Sequence, residues 1–386
     1  MKITDVQASV IGRNEPDSGG SVWTFVRIYT DEGIVGTGEC NSGGSVAGFG
    51  VKEAILMMKP FLIGKNPMDT GPLWESLRRR GRYGGTTNAP LIFAITGIEN
   101  ALYDITGKAL GVPVYRLLGG KFRDRIRLYA DCHAGESNEP QAYADKSLEV
   151  TAEGYTAVKF DVDHSGVGKL DAYNWTASAK EMTHVINLIS AVREAIGYEL
   201  DLAIDCHGQF DMPSAITLAK AVEDLRLMWL EEPVPAENID AMAQVCAQTN
   251  TVICTGENQY TRWEFLELFQ KHACDVIMPD LTKAGGMMEA KRIADIADAF
   301  YIPIAPHNVS SPLGMMAACH IMASVPNFFV LEFHGREIPW WEDLCDGDKP
   351  FIRKGWMEVS ERPGIGVELN DAVARKLVWN GDRYFD

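Results

Sequence analysis

The rhythm of hydrophobic and polar positions changes once along this chain, near residue 120. Before that point, ITDVQASVIG and WTFVRIYTDEGIVGTGE alternate apolar and polar residues on either side of Asp31-Glu32-Gly33. A two-residue period interrupted by such a turn predicts an antiparallel hairpin. Helical patterns follow in VKEAILMMKPFLIG and APLIFAITGIENALYDITGKALG. In the second, Ile95, Ile98, Ala101, Leu102 and Ile105 fall on one helical face, and Gly107 begins to break the pattern. Residues 1–120 therefore read as an α+β unit.

Beyond it, short apolar runs alternate with amphipathic helical stretches. The strand candidates are 127–132, 157–161, 202–205, 228–232, 252–257, 275–280, 302–306 and 328–333. Eight strands separated by helices at a regular pitch predict an α/β fold with a closed parallel barrel rather than an open sheet. No glycine-rich phosphate loop follows any of them, so dinucleotide and P-loop readings lack support. The barrel is expected over 121–355. The mixed pattern of about 356–386 is expected to return to the first unit and complete it.

Composition narrows the partners. The formal charge of −17 over 386 residues argues against nucleic acid or an anionic membrane surface. It also means that an anionic substrate needs a local cation. No apolar run has the length of a membrane span, and MKITDVQAS is not a signal peptide, so a cytoplasmic location is expected. The eight cysteines are scattered without a C-x-x-C pair, which predicts reduced and mostly buried thiols.

The chemistry lies at the strand ends. Asp205, Glu231 and Glu257 follow one another at intervals of 26 and 26 positions, and Asp280, His307 and Glu332 continue after 23, 27 and 25. One βα unit has about this length, so each residue is placed at the carboxyl end of its own strand, the barrel face that carries active sites. Acidic residues after strands also serve as N-caps of the next helix. An even series of three, followed by an Asp/His pair, points instead to a shared mouth. Carboxylates converging there repel unless a cation neutralises them, and a hard-oxygen set without cysteine suits Mg²⁺ or Mn²⁺. Asp280 on the adjacent strand end can hold one nitrogen of His307, as an oriented general base requires.

These residues resemble the enolase superfamily, and within it the mandelate racemase subgroup. GIENALYDITGKALGVPVYRLLGG is similar to that family's capping-domain helix and the start of its barrel. LAID, WLEEP and TGEN resemble its three metal-ligand strand ends, and DLTKAGGM with PHN resembles its Asp/His dyad. The resemblance covers essentially the whole chain. It implies a modified (β/α)7β TIM-like barrel, an N-terminal α+β capping domain, an essential Mg²⁺, a homo-oligomer between dimer and octamer, and removal of the proton α to a carboxylate. Carried over by position, Asp205, Glu231 and Glu257 bind Mg²⁺, and His307 is the base oriented by Asp280. Glu332 sits beside the substrate carboxylate, protonated or hydrogen-bonded to it, and Lys159 helps to bind the acid.

Two departures select the chemistry. Racemases of the superfamily carry Lys-x-Lys at the second barrel strand, whereas VKFDVD keeps Lys159 and places Asp161 second. Asp280 also stands where cycloisomerases carry lysine, and Lys283, three residues on, is expected to orient the local loop. His207, two residues after Asp205, matches a histidine of gluconate- and galactonate-type acid-sugar dehydratases. On a strand it would project to the same side as Asp205 and could protonate a departing 3-hydroxyl. The expected reaction is therefore dehydration of an aldonate such as D-gluconate or D-galactonate to a 2-keto-3-deoxy acid. A lactone cycloisomerase or epimerase is the same-class alternative, and a non-catalytic sugar-acid-binding protein the other. Asp161, His133, Trp23, Arg82, Tyr83 and His334 are expected substrate contacts, and the Trp340-Trp341 pair either walls the pocket or packs in the core.

Overall fold

The computed structural model describes residues 1–12, 21–40, 45–81, 89–135, 137–163, 167–170, 173–379 and 381–385, with the side chains of 45–47 left aside. Arg82 and Tyr83 lie outside the described residues. Strands β1 (Ile3–Gly12), β2 (Val22–Thr30) and β3 (Val35–Cys40) form an antiparallel sheet. The β2–β3 hairpin turns at Asp31-Glu32-Gly33, where Gly33 has φ of 78°. Helices α1 (Ser45–Leu62), α2 (Thr70–Gly81) and α3 (Ala89–Leu110) complete this unit.

Helix α3 departs from the expected break at Gly107 and continues to Leu110. Residues Ile92–Gly107 are buried all round, because the helix lies between the β-sheet and the barrel. A Cβ at Gly107 would stand 2.7 Å from the backbone of Gly364. Gly107 therefore marks a close approach of two segments rather than a helix end.

After the short helix α4 (Val114–Leu117), the barrel alternates β4 (Arg125–Asp131), α5 (Pro140–Ala152), β5 (Ala157–Asp161), α6 (Ala179–Ile196), β6 (Asp201–Asp205), α7 (Met212–Ala221) and β7 (Trp229–Glu231). It continues with α8 (Ile239–Ala247), β8 (Ile253–Thr255), α9 (Thr261–Gln270), β9 (Val276–Ile277), α10 (Met287–Ala299), α11 (Pro312–Ala323) and β10 (Leu331–Phe333). Neighbouring strands from β4 to β9 pair in parallel, and β10 returns in parallel to β4. The seventh position is reduced to Ile304, which bridges Ile277 on one side and Phe328 on the other. Pro303 and Pro306 flank it and cannot donate to a ladder, which explains a bridge where a strand was expected. Counting that bridge, eight parallel positions and seven intervening helices give a (β/α)7β barrel.

The tail divides between the two units. Strands β11 (Cys345–Asp346) and β14 (Glu368–Leu369) pair with each other, and β12 (Ile352–Arg353) pairs with β13 (Trp356–Glu358), which runs antiparallel to β4. The later part of the tail returns to the first unit: the Gly364 amide donates to Val112 O at 3.0 Å, the Ile365 amide to Asp104 Oδ1 at 2.9 Å, the Trp379 amide to Val10 O at 3.0 Å and Val10 N to Asp382 Oδ2 at 2.6 Å. All eight cysteines are free thiols, and seven are buried. Among the described residues, no helix is long and apolar enough to cross a membrane.

Candidate active site

Parallel register sets the mouth of the barrel. Asp131 lies opposite Lys159, Asp161 opposite Asp205, and Asp205 opposite Glu231. Facing residues on adjacent strands project to the same side, and so do residues two apart. Lys159, Asp161, Asp205, Glu231 and Asp131 thus crowd one end of the barrel. The Lys159 ammonium is buried and lies 3.1 Å from Asp205 Oδ2, 3.3 Å from Glu231 Oε1 and 2.7 Å from Glu332 Oε1. Burial opposes its charge, but Glu231 and Glu332 outweigh that and hold Lys159 protonated. The Trp229 indole N–H donates to Glu231 Oε2 at 3.0 Å, and the Asn308 amide donates to Glu332 Oε2 at 2.8 Å.

His307 stands at the seventh position. Its Nδ1 is 2.9 Å from Asp280 Oδ2 and its Nε2 is 2.9 Å from Glu257 Oε2. The other Asp280 oxygen accepts from the Thr282 amide and hydroxyl, both at 2.7 Å. Lys283 does more than orient its loop, because its Nζ lies 3.1 Å from Asp280 Oδ2. Burial works against ionised Asp280, yet Lys283 and His307 overcome it and hold the carboxyl below its usual range. Burial likewise works against charged His307, but Glu257 and Glu332 push its pKa up to about 10. Glu332 is held below its usual range, since Lys159 and His307 outweigh its burial.

His207 reaches the mouth by a route the strand pattern does not describe. Strand β6 ends at Asp205, and His207 has φ of 45°, so a left-handed turn rather than the pleat brings its ring back. Its amide donates to Asp205 Oδ1 at 2.9 Å, its Nε2 lies 3.5 Å from Asp205 Oδ2, and its Nδ1 lies 3.2 Å from Asp163 Oδ2. His133 Nε2 is 3.2 Å from Asp161 Oδ2, and His334 Nε2 is 3.2 Å from Asp131 Oδ2.

Trp23 is fully buried, behind the loop after His307 rather than open to the mouth. Its indole donates to Val309 O at 2.7 Å, and the Trp341 indole donates to Ser310 O at 2.9 Å. Trp23 packs edge-on against Trp340 at 5.6 Å. The capping unit grips the same loop through Glu39, which accepts from Ser311 N and Gly314 N at 2.9 Å each, and from the Ser311 hydroxyl. Glu99 does the equivalent at α10, accepting from Met288 N at 3.3 Å, while Thr96 accepts from Gly285 N at 2.9 Å. The helices that follow the Asp280 and His307 strand ends are thus both capped by buried carboxyl groups of the first unit. Glu39, Glu99, Asp131 and Asp163 escaped the sequence reading. An acid inside an apolar run, as in GIENALY, is the signal that marks such a buried partner.

Two family models match the chain. The family "Mandelate racemase / muconate lactonizing enzyme, N-terminal domain" matches residues 19–119, and "Enolase C-terminal domain-like" matches residues 142–373. The chain belongs to the mandelate racemase/muconate lactonizing enzyme family of the enolase superfamily. It is 44% identical to a D-xylonate dehydratase of Haloferax volcanii, over 100% of this chain and 91% of that protein. It is 33% identical to a D-galactonate dehydratase of Pectobacterium atrosepticum, over 91% of this chain and 90% of that protein. A mandelate racemase/muconate lactonizing enzyme-like protein from Rubrobacter xylanophilus superposes with a TM-score of 0.94 at 42% identity, covering 100% of this chain and 99% of that one.

Enzymes of this superfamily use a divalent metal. The residues fit one. Glu231 is pushed well above its usual range by burial and then by neighbouring Asp205. Asp161, Asp205 and His207 offer ligand atoms within 4.8 Å of one another, the group of that kind among the described residues. Of the expected triad, Asp205 lies in this group, Glu231 rests on Lys159, and Glu257 faces His307.

Proposed function

We propose that the protein is a Mg²⁺-dependent sugar-acid dehydratase that takes an aldonate such as D-xylonate, D-galactonate or D-gluconate to its 2-keto-3-deoxy acid. The carrying observation is the placement of two histidines. His207 follows the third barrel strand and His307 stands at the seventh of eight positions, so they face each other across the carboxylate cluster. Each ring is oriented by an aspartate, Asp163 at 3.2 Å and Asp280 at 2.9 Å. The names of the relatives from Haloferax and Pectobacterium support the substrate class.

In this reading Asp205, Glu231 and Glu257 hold Mg²⁺, which when bound supplies a Lewis acid at the substrate carboxylate. Lys159 adds a fixed positive charge where negative charge develops on that carboxylate. With Glu257 engaged as a metal ligand, the pull that keeps His307 charged would be removed, and the neutral ring accepts the C2 proton at Nε2 while Nδ1 stays bonded to Asp280, which fixes the tautomer. The charge leaving C2 expels the 3-hydroxyl, His207 gives that oxygen a proton so that it departs as water, and the enol that remains takes a proton at C3 to become the 2-keto-3-deoxy acid. Asp161, His133 and His334 line the mouth where the polyol chain extends, each able to bond a hydroxyl. With Asp161 in place of a second lysine, the site departs from the Lys-x-Lys pattern of a two-base racemase.

The test incubates the protein and Mg²⁺ with D-xylonate, D-galactonate and D-gluconate, and detects the keto product as its semicarbazone. Absence of product from every acid, with Mg²⁺ bound normally, refutes the proposal. Deuterium entering C2 without elimination would make the protein an epimerase. His207→Asn is expected to keep C2 exchange and lose elimination by at least 100-fold, within the range of a lost general acid.

A further inference from the structure

We infer that Asp131 and His334 form a subsite that binds a distal hydroxyl of the substrate chain and thereby reads its length. The inference rests on the dehydratase reading and adds Asp131 to it. Asp131 ends β4, the first barrel strand, and pairs in register with Lys159, so its carboxylate projects into the same mouth. Neither Asp131 oxygen has a hydrogen-bond partner among the described residues, although both are buried. His334 Nδ1 is buried without a partner as well, while its Nε2 lies 3.2 Å from Asp131 Oδ2. Buried acceptors are almost always satisfied, whereas Asp131 Oδ1 has no hydrogen-bond partner among the described residues and Oδ2 has only the His334 ring nearby.

The ligand chemistry follows from the atoms on offer. A carboxylate with free lone pairs takes O–H donors, and an imidazole beside it can give or take one more bond. An alcohol is donor and acceptor at once and satisfies both. A second anion is excluded, because it would meet the Asp131 carboxylate. Position selects which alcohol. Asp131 lies two strands from Asp205 in the order β4-β5-β6. At about 4.8 Å per strand, that is roughly 10 Å along the sheet. A chain held by its carboxyl end beside Asp205, where the Lys159 Nζ also reaches at 3.1 Å, brings a hydroxyl on its far carbons to Asp131, and a four-carbon acid falls short. His133 and Asp161 are already paired at 3.2 Å between these two points, so they meet the middle of the chain.

The experiment compares kcat/KM for D-xylonate and D-galactonate with that for the four-carbon acid of matching C2 and C3 configuration. In Asp131→Ala, the preference for the longer acids is expected to fall by ten- to a hundredfold, chiefly through KM. This is the discrimination that a site built to bond a hydroxyl supplies. Asp131→Asn keeps one acceptor oxygen and is expected to recover part of the preference. An unchanged preference in Asp131→Ala, with both acids slowed equally or not at all, overturns the subsite. If wild-type protein dehydrates none of the acids, the dehydratase reading fails separately. Calorimetric binding of D-xylonate then decides the subsite, which requires at least tenfold weaker binding in Asp131→Ala and is refuted by equal affinity.

Discussion

Replacing Asp280 by asparagine isolates the orientation of His307. The Asp280 side chain serves three neighbours through two oxygens: Thr282 on Oδ1 at 2.7 Å, and His307 at 2.9 Å with Lys283 at 3.1 Å on Oδ2. Asparagine keeps the Thr282 bonds by placing its carbonyl there, which turns its NH₂ towards His307 and Lys283. A donor then faces Nδ1, so the ring must accept at Nδ1 and carry its proton on Nε2. The nitrogen that should take the C2 proton is blocked. General bases contribute about 100- to 10,000-fold, so kcat is expected to fall by roughly 1,000-fold. Lys283 also loses its carboxylate, and breaking a buried pair costs about 3–5 kcal/mol of stability. The assay follows deuterium exchange at C2 and formation of the keto acid side by side, with folding and Mg²⁺ affinity checked by circular dichroism and calorimetry. Both reactions should fall together, because C2 deprotonation precedes elimination. A folded variant that loses less than tenfold, or that keeps exchange while losing elimination, refutes the role of the dyad.

Two further outcomes follow from the electrostatics. His307 is held near 10 chiefly by Glu257 against its burial, so a cation that engages Glu257 removes this pull and releases a proton. Mg²⁺ affinity should then rise with pH up to about 10, with about one proton released per ion, read by calorimetry in buffers of different ionisation enthalpy; no buffer dependence would exclude the coupling. Burial raises Glu39 from 4.5 to about 7, so its protonated form favours the fold below pH 4.5 and that contribution is lost as pH rises through 7. The change is on the order of 3 kcal/mol, and Glu39→Gln should remove it from the pH dependence of the urea midpoint; parallel wild-type and variant curves would refute it.

Much of the site was legible because the barrel repeats itself. The interval of one βα unit separates Asp205, Glu231, Glu257, Asp280, His307 and Glu332, and a residue at a strand end has little freedom in where it points. The β2–β3 hairpin was equally legible, since a two-residue alternation broken by Asp-Glu-Gly has few other solutions. Local rules failed where a distant segment decides. Gly107 reads as a helix stop until Gly364 is seen packed on it. His207 reads as a strand residue until its φ of 45° shows a turn.

The chain alone, through its periodicities and residue types, determined which elements form, in what order, and which titratable groups share the barrel mouth. It could not determine which of those groups pair. Glu39 caps α11 from 272 residues away, Asp131 on the first barrel strand meets His334 just after the last, and Glu257 turns to His307. Each of these contacts is made only when the barrel closes and the capping unit docks. Only there does burial make an electrostatic partner worth more than water.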